Sequence, residues 1–121
     1  MKPLLLSLAL AAAGLVSLQA ETGNQIALDI NSSPEYPRNS EGSFATLHSG
    51  RIVFYYTQFY GGDSDDSAAR IVDIYSDDQG RTWSQPRVFL EKGKSTNVMS
   101  VSLLRLANGQ LAIFYAVKNS E

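Results

Sequence analysis

Short runs of β-branched and aromatic residues, separated by polar turns, dominate the chain after residue 38. They predict strands at 43–47, 52–57, 70–75, 87–90, 101–106 and 110–117. β-branched and aromatic side chains fit a pleated, half-buried surface, and the glycines between the runs accept the backbone of tight turns. Beyond residue 20 no segment has a convincing 3.6-residue period. The pattern therefore predicts an all-β fold of short antiparallel strands.

The strand pattern occurs twice along the chain, at a constant offset. An ungapped alignment pairs Ser43, Leu47, Gly50, Ile52, Phe54, Tyr55 and Tyr56 with Ser102, Leu106, Gly109, Leu111, Ile113, Phe114 and Tyr115. An internal repeat of this kind indicates stacked structural units, and four strands per period is the content of a β-propeller blade. We therefore predict four-stranded antiparallel propeller blades, with blade one at about 38–91 and the start of blade two at about 97–118. A β-sandwich is the alternative all-β fold, and the repeat argues against it.

About one and a half blades cannot close a ring, because each blade buries its faces against two neighbours. The sequence is therefore expected to be the N-terminal fragment of a longer protein.

Residues 1–20 have the pattern of a secretory signal peptide. Lys2 precedes an apolar run at 4–18, and the small Ala20 is followed by polar residues. A retained membrane anchor is the alternative, although the run is at or below the roughly 18–20 residues that span a bilayer. We expect export to the periplasm or the extracellular space, with no membrane span after cleavage. Residues 21–37 are polar and are expected to form a leader to the propeller.

Composition excludes several other functions. The chain has 10 Lys and Arg against 12 Asp and Glu, and this mild acidity argues against nucleic acid as the main partner. It has no Cys and one His, His48, which lies in a predicted turn, so neither a disulfide nor a transition-metal site is expected. No cofactor-binding motif is present, and the oligomeric state stays open.

The turn 76–83 lies between the third and fourth predicted strands. It matches the Asp-box pattern S-x-D-x-G-x-T-W at every defined position, through Ser76, Asp78, Gly80, Thr82 and Trp83. An Asp carboxylate can accept N–H bonds across a turn, Gly can take a positive φ, and Trp supplies an apolar face to pack beneath it. We interpret the motif as a structural brace rather than as a catalytic group.

The Asp-box and the repeat resemble the sialidase-like superfamily, the BNR-repeat or Asp-box β-propellers, over roughly residues 36–117. The resemblance implies six four-stranded blades around a central active site. It also implies an exo-α-sialidase activity, the release of terminal sialic acids from glycans with retention. In that family an arginine triad grips the sugar carboxylate, an Asp is the acid/base, and a Tyr assisted by a Glu is the nucleophile.

The resemblance assigns roles to three residues of this chain. Arg38 stands where the family's first triad arginine precedes strand one, although the Ile-Pro that follows that arginine in the family is missing here. Asp65 lies at the family spacing of the acid/base Asp ahead of Ser76, and Asp66 is one position off. The alternatives are a surface arginine in the leader and a solvated acidic loop or weak cation site.

The family's other arginines, its Tyr and its Glu belong to later blades, so this piece alone is expected to be inactive. Glu41, Arg70 and Asn97 could also face the centre, and Asn97 is the repeat equivalent of Arg38 in the ungapped alignment. An ordinary salt-bridging or solvated side chain is the alternative for these residues. The leading hypothesis is an exported sialidase-like glycoside hydrolase whose partner is a glycan, sialylated ones included. The alternative is a non-catalytic Asp-box propeller that binds glycans or proteins.

Overall fold

The computed structural model describes residues 26–119, and all regular secondary structure in that range is β-strand. The predicted signal peptide and the first residues of the leader lie outside it. The six strands are β1 Arg38–Thr46, β2 Ile52–Phe59, β3 Ala69–Ser76, β4 Arg87–Leu90, β5 Asn97–Arg105 and β6 Leu111–Lys118. Within the described range there is no helix long and apolar enough to cross a membrane.

The strands form two antiparallel sheets. The first has the order β1-β2-β3-β4, and the second pairs β5 with β6. Strands β2 and β3 pair without a register shift, from Ile52 opposite Ser76 to Phe59 opposite Ala69. The prediction of an all-β fold is confirmed, since the first sheet has the four strands of one blade and the second has two strands of the next.

Strands β1 and β5 both begin several residues earlier than predicted, at Arg38 and Asn97. Each contains an irregularity that breaks the alternation of side chains, between Ser40 and Gly42 in β1 and between Met99 and Ser102 in β5. An extra residue in one strand of a pair re-aims the side chains around it, and such bulges are frequent beside functional sites. Because β1 begins at Arg38, this residue lies within the first strand rather than ahead of it.

Apolar residues bury both faces of the first sheet. On one face Ile71 of β3 packs against Val98 and Val101 of β5, which joins the two sheets. The opposite face carries a second cluster of Tyr56, Val72 and Ile74, covered by Leu28 and Ile30 of the leader together with Phe54 and Trp83. The leader therefore crosses the face of the first sheet that the second sheet leaves uncovered.

Candidate functional site

The β2–β3 loop, residues 60–68, lies against the start of β1 and the start of β5. Arg38 Nη1 donates a hydrogen bond to Asp65 Oδ1 at 2.6 Å and another to the Asp63 carbonyl oxygen at 3.1 Å. From the other sheet, Asn97 Nδ2 donates to the carbonyl oxygens of Asp65, at 2.8 Å, and Ser67, at 3.0 Å. The structure thus brings Arg38 and Asp65, which lie 27 residues apart in the chain, into direct contact.

The Arg38 guanidinium is enclosed on several sides. Its carbon lies 4.4 Å from the centre of the Phe59 ring, a cation–π contact that orients the planar group. Its Nη2 lies 3.8 Å from Glu41 Oε1, in the bulge of β1. The Arg38 side chain is 29% exposed and its partner Asp65 is 66% exposed. An external carboxylate can therefore approach Arg38 from the Asp65 side, by taking the place of the Asp65 carboxylate.

Asp66 has a different partner. Its carboxylate forms an ion pair with Lys118, the last residue of β6, and this hydrogen bond raises the pKa of Lys118. Asp66 is 78% exposed. The two acids that were candidates for the same role therefore point to different sheets, Asp65 to β1 and Asp66 to β6.

Asn97 and Lys118 are opposite each other in the β5–β6 register, so both reach the loop from one end of the second sheet. The Asn97 side chain is fully buried, and its Oδ1 has no hydrogen-bond partner within the described part of the chain. The repeat pointed to Asn97, because it occupies the position in β5 that Arg38 occupies in β1. Lys118 was missed, since its only signal was its place at the end of a predicted strand.

Arg70 does not join the Arg38 cluster. It is opposite Gln58 in the β2–β3 register, and its Nε and Nη2 donate to Gln58 Oε1 at 3.1 and 2.9 Å. Neighbouring residues of a strand point to opposite faces, so Gln58 and Arg70 face away from Phe59. The Arg70 guanidinium carbon lies over the rings of both Tyr36 and Tyr60, 5.2 and 5.3 Å from their centres.

The turn 76–83 lies at the opposite end of the first sheet. Asp78 accepts hydrogen bonds from the Thr82 hydroxyl at 2.7 Å, the Thr82 N–H at 2.8 Å and the Ser76 hydroxyl at 2.8 Å. These bonds, with Thr82 first, lower the pKa of Asp78 to about 2. Gly80 has a φ of 87°, and Trp83 Nε1 donates to its carbonyl at 3.2 Å. Each of these hydrogen bonds is internal to the turn, as a brace requires.

A second Arg–Asp pair closes this same end of the sheet. Arg51, after the β1–β2 turn, donates to both carboxylate oxygens of Asp77 at 2.7 and 2.8 Å and lies 3.9 Å over the Tyr75 ring. The pair raises the pKa of Arg51 and lowers that of Asp77. His48 is exposed in the neighbouring turn. Across residues 26–119, no three His, Cys, Asp or Glu side chains gather to hold a metal ion.

Comparison with solved structures identifies the fold. The K499G mutant of NanB sialidase from Streptococcus pneumoniae matches with a TM-score of 0.58 and 22% identity, over 77% of this chain and 18% of that one. The chain has a sialidase-like fold. It spans less than a fifth of the length of that sialidase. A complex of NanB sialidase with 2-[(3-chlorobenzyl)ammonio]ethanesulfonate matches with a TM-score of 0.47 and 27% identity, over 69% of this chain and 13% of that one. Neither a protein-family model nor a curated protein matches the sequence.

Proposed function

We propose that the protein is an exported glycoside hydrolase of the exo-α-sialidase type that acts on glycans. The observation that carries the proposal is the contact between Arg38 and Asp65, a cation and an acid from separate elements that meet at one end of a sialidase-like blade. In this proposal the chain contributes the first blade and part of the second. The remaining site residues come from sequence beyond it.

Arg38 would bind the carboxylate of the sugar, because a guanidinium offers two parallel N–H donors to a carboxylate. The place of that carboxylate in the free protein is taken by Asp65, which already accepts from Nη1. When the substrate carboxylate binds the Arg38 guanidinium, it displaces the Asp65 carboxylate, which is then free beside the bound sugar. Once it has left Arg38, the Asp65 carboxylate takes up a proton from solvent and then delivers it to the departing glycosidic oxygen, and Asp66 is the second candidate for this step.

A non-catalytic propeller that binds glycans or proteins is the second candidate function. It is favoured by the ion pairs of the two acids, Asp65 with Arg38 and Asp66 with Lys118. A surface that carries both acidic and basic side chains can bind a ligand without any proton transfer. Because these ion pairs are exposed, their strength should fall as the salt concentration rises.

The experiment is turnover of fluorogenic glycosides, a sialoside among them, by the protein expressed from its complete open reading frame. Removing a general acid costs about 10²- to 10⁴-fold in rate, so Asp65→Ala is expected to lower kcat by that factor. Asp63→Ala is the matched control, because only the backbone carbonyl of Asp63 contacts Arg38. Normal turnover by an Asp65→Ala, Asp66→Ala double variant would exclude both acids from proton transfer. Glycan binding without turnover of any glycoside would favour the non-catalytic propeller.

We also propose that residues 1–20 direct export and are then removed, as their charge and hydropathy pattern suggests. Intact-mass measurement of the protein recovered from outside the cytoplasm tests this. An N-terminus at Glu21 is expected. A mass that retains residues 1–20 would favour the membrane anchor instead.

A further inference from the structure

Asn97 belongs to the second sheet but makes its side-chain hydrogen bonds to a loop of the first. It is the first residue of β5, and its side chain is 0% exposed. Its Nδ2 group uses both of its protons, one on the carbonyl of Asp65 and one on that of Ser67. The two carbonyls flank Asp66, so a single amide fixes the backbone of the loop at the residues that carry the candidate acids.

The other side-chain hydrogen bonds from the rest of the described chain to this loop come from Arg38, to the Asp65 carboxylate and the Asp63 carbonyl, and from Lys118, to the Asp66 carboxylate, and all three are exposed. Asp65 reaches Arg38 and Asp66 reaches Lys118 through side chains that are largely in water. Exposed ion pairs contribute little and weaken with salt, whereas buried hydrogen bonds are costly to lose. The Arg38 contact is also the one that a substrate carboxylate would displace. Among the described residues, only Asn97 joins a fully buried side chain to this loop, and its two part-buried hydrogen bonds do not depend on the bound sugar.

The neighbouring packing holds Asn97 itself in place. The next residue, Val98, is buried against Ile71 of β3 in the cluster that joins the two sheets. The position of Asn97 relative to the loop is therefore set by the apolar contact between the sheets. The buried Oδ1 of Asn97 has no hydrogen-bond partner among residues 26–119, and an unsatisfied buried acceptor lowers stability. An apolar side chain at this position would pack without that loss, so packing alone does not account for an asparagine here.

We propose that Asn97 is a positioning residue that keeps the backbone of Asp65 in place when Arg38 exchanges the Asp65 carboxylate for that of the substrate. The inference rests on the proposed function and adds to it a residue of the neighbouring blade. Asn97 touches neither the substrate nor the reacting atoms. It acts through the loop, so its loss should slow the chemical step more than it weakens substrate binding.

The test compares Asn97→Ala and Asn97→Asp with Asn108→Ala in the full-length protein. Asn108 is the matched control, because it is an exposed asparagine in the turn at the other end of the same hairpin. Steady-state kinetics with a fluorogenic sialoside give kcat and KM separately, and hydrogen–deuterium exchange reports on residues 61–68. Thermal unfolding curves show whether each variant is folded at the temperature of the assay.

We expect Asn97→Ala to lower kcat per folded molecule by about 10- to 100-fold, with KM within about threefold, because small misplacements of a catalytic group have effects of this size. Exchange across 61–68 should become faster. An ionised carboxylate cannot donate, so Asn97→Asp should show the same loss at neutral pH. It should regain part of the wild-type rate as the pH falls, since a protonated carboxyl group donates one hydrogen bond. Because kcat is taken per folded molecule, an asparagine that only stabilised the fold would not produce that pH dependence.

Unchanged exchange across 61–68 in Asn97→Ala would overturn the inference. So would faster exchange with an unchanged kcat in an active protein. If the wild-type protein releases no sugar from any glycoside, the proposed function fails, and the exchange measurement alone decides whether Asn97 holds the loop. Asn97→Ser keeps one hydroxyl donor and replaces Asn97→Ala in every arm if the alanine variant does not fold.

Discussion

The contact between the two sheets can be tested at Ile71. Its side chain is 0% exposed and packs on Val98 and Val101 of the second sheet. Ile71→Ala removes three buried carbon atoms, and at about 0.8 kcal/mol for each the transfer cost alone is about 2.4 kcal/mol. The cavity left behind adds to this, so the free energy of unfolding should fall by about 3–4 kcal/mol, inside the range for such substitutions.

Urea unfolding of the protein, followed by far-ultraviolet circular dichroism, measures this loss. Ile71→Val should cost only about 1 kcal/mol, since it removes one carbon atom from the same site. Ile26→Ala is the control, because Ile26 is 86% exposed and its truncation should change stability by less than about 0.5 kcal/mol. If Ile71→Ala behaved like Ile26→Ala, the two sheets would not pack against each other through Ile71, and the reasoning would be refuted.

Two further predictions concern the turn and the bulge. Asp78→Asn removes the carboxylate that Thr82 donates to, so it should lower the melting temperature at neutral pH. Because the pKa of Asp78 falls from 3.8 to about 2 on folding, its stabilisation is complete above about pH 4 and is lost as the pH falls through 2. The melting temperatures of variant and wild type should converge there, and a constant difference would contradict this. Gly42→Ala places a Cβ 2.8 Å from the Tyr55 carbonyl oxygen and nearer still to the Phe54 ring. It should cost about 1–3 kcal/mol in urea unfolding, and an unchanged midpoint would contradict the close approach.

The strands could be predicted where local chemistry decides the structure. Strands β2, β3 and β4 lie within two residues of their predicted bounds, because their β-branched and aromatic runs favour one conformation. The first residues of β1 and β5 could not be predicted. Both segments are polar and contain a bulge, so they lack the alternation of a half-buried strand. Pairing with β2 and β6, a long-range effect, makes them strands.

The candidate site, like the strands, could be predicted only where the sequence pattern is local. The family spacing proposed roles for Arg38 and Asp65, but their contact depends on the fold of a loop that no local pattern specifies. Lys118 enters the cluster only because β6 ends beside that loop. Arg70 lies on the other face because the β2–β3 register pairs it with Gln58. One residue of register decides which face a side chain occupies, and register is a property of strand pairs rather than of one strand.

The most direct measurement compares kcat/KM for a fluorogenic sialoside between Arg38→Ala and Arg51→Ala. Both arginines bind an aspartate at an end of the first sheet, Asp65 and Asp77 respectively, so the variants differ in location rather than in chemistry. Two charge-assisted hydrogen bonds to the sugar carboxylate are worth about 3–6 kcal/mol, so Arg38→Ala should lower kcat/KM by about 10²- to 10⁴-fold. Arg51→Ala should leave it within about threefold. Equal losses in the two variants, or full activity without Arg38, would contradict a sialidase-like site at the Arg38–Asp65 end of the sheet.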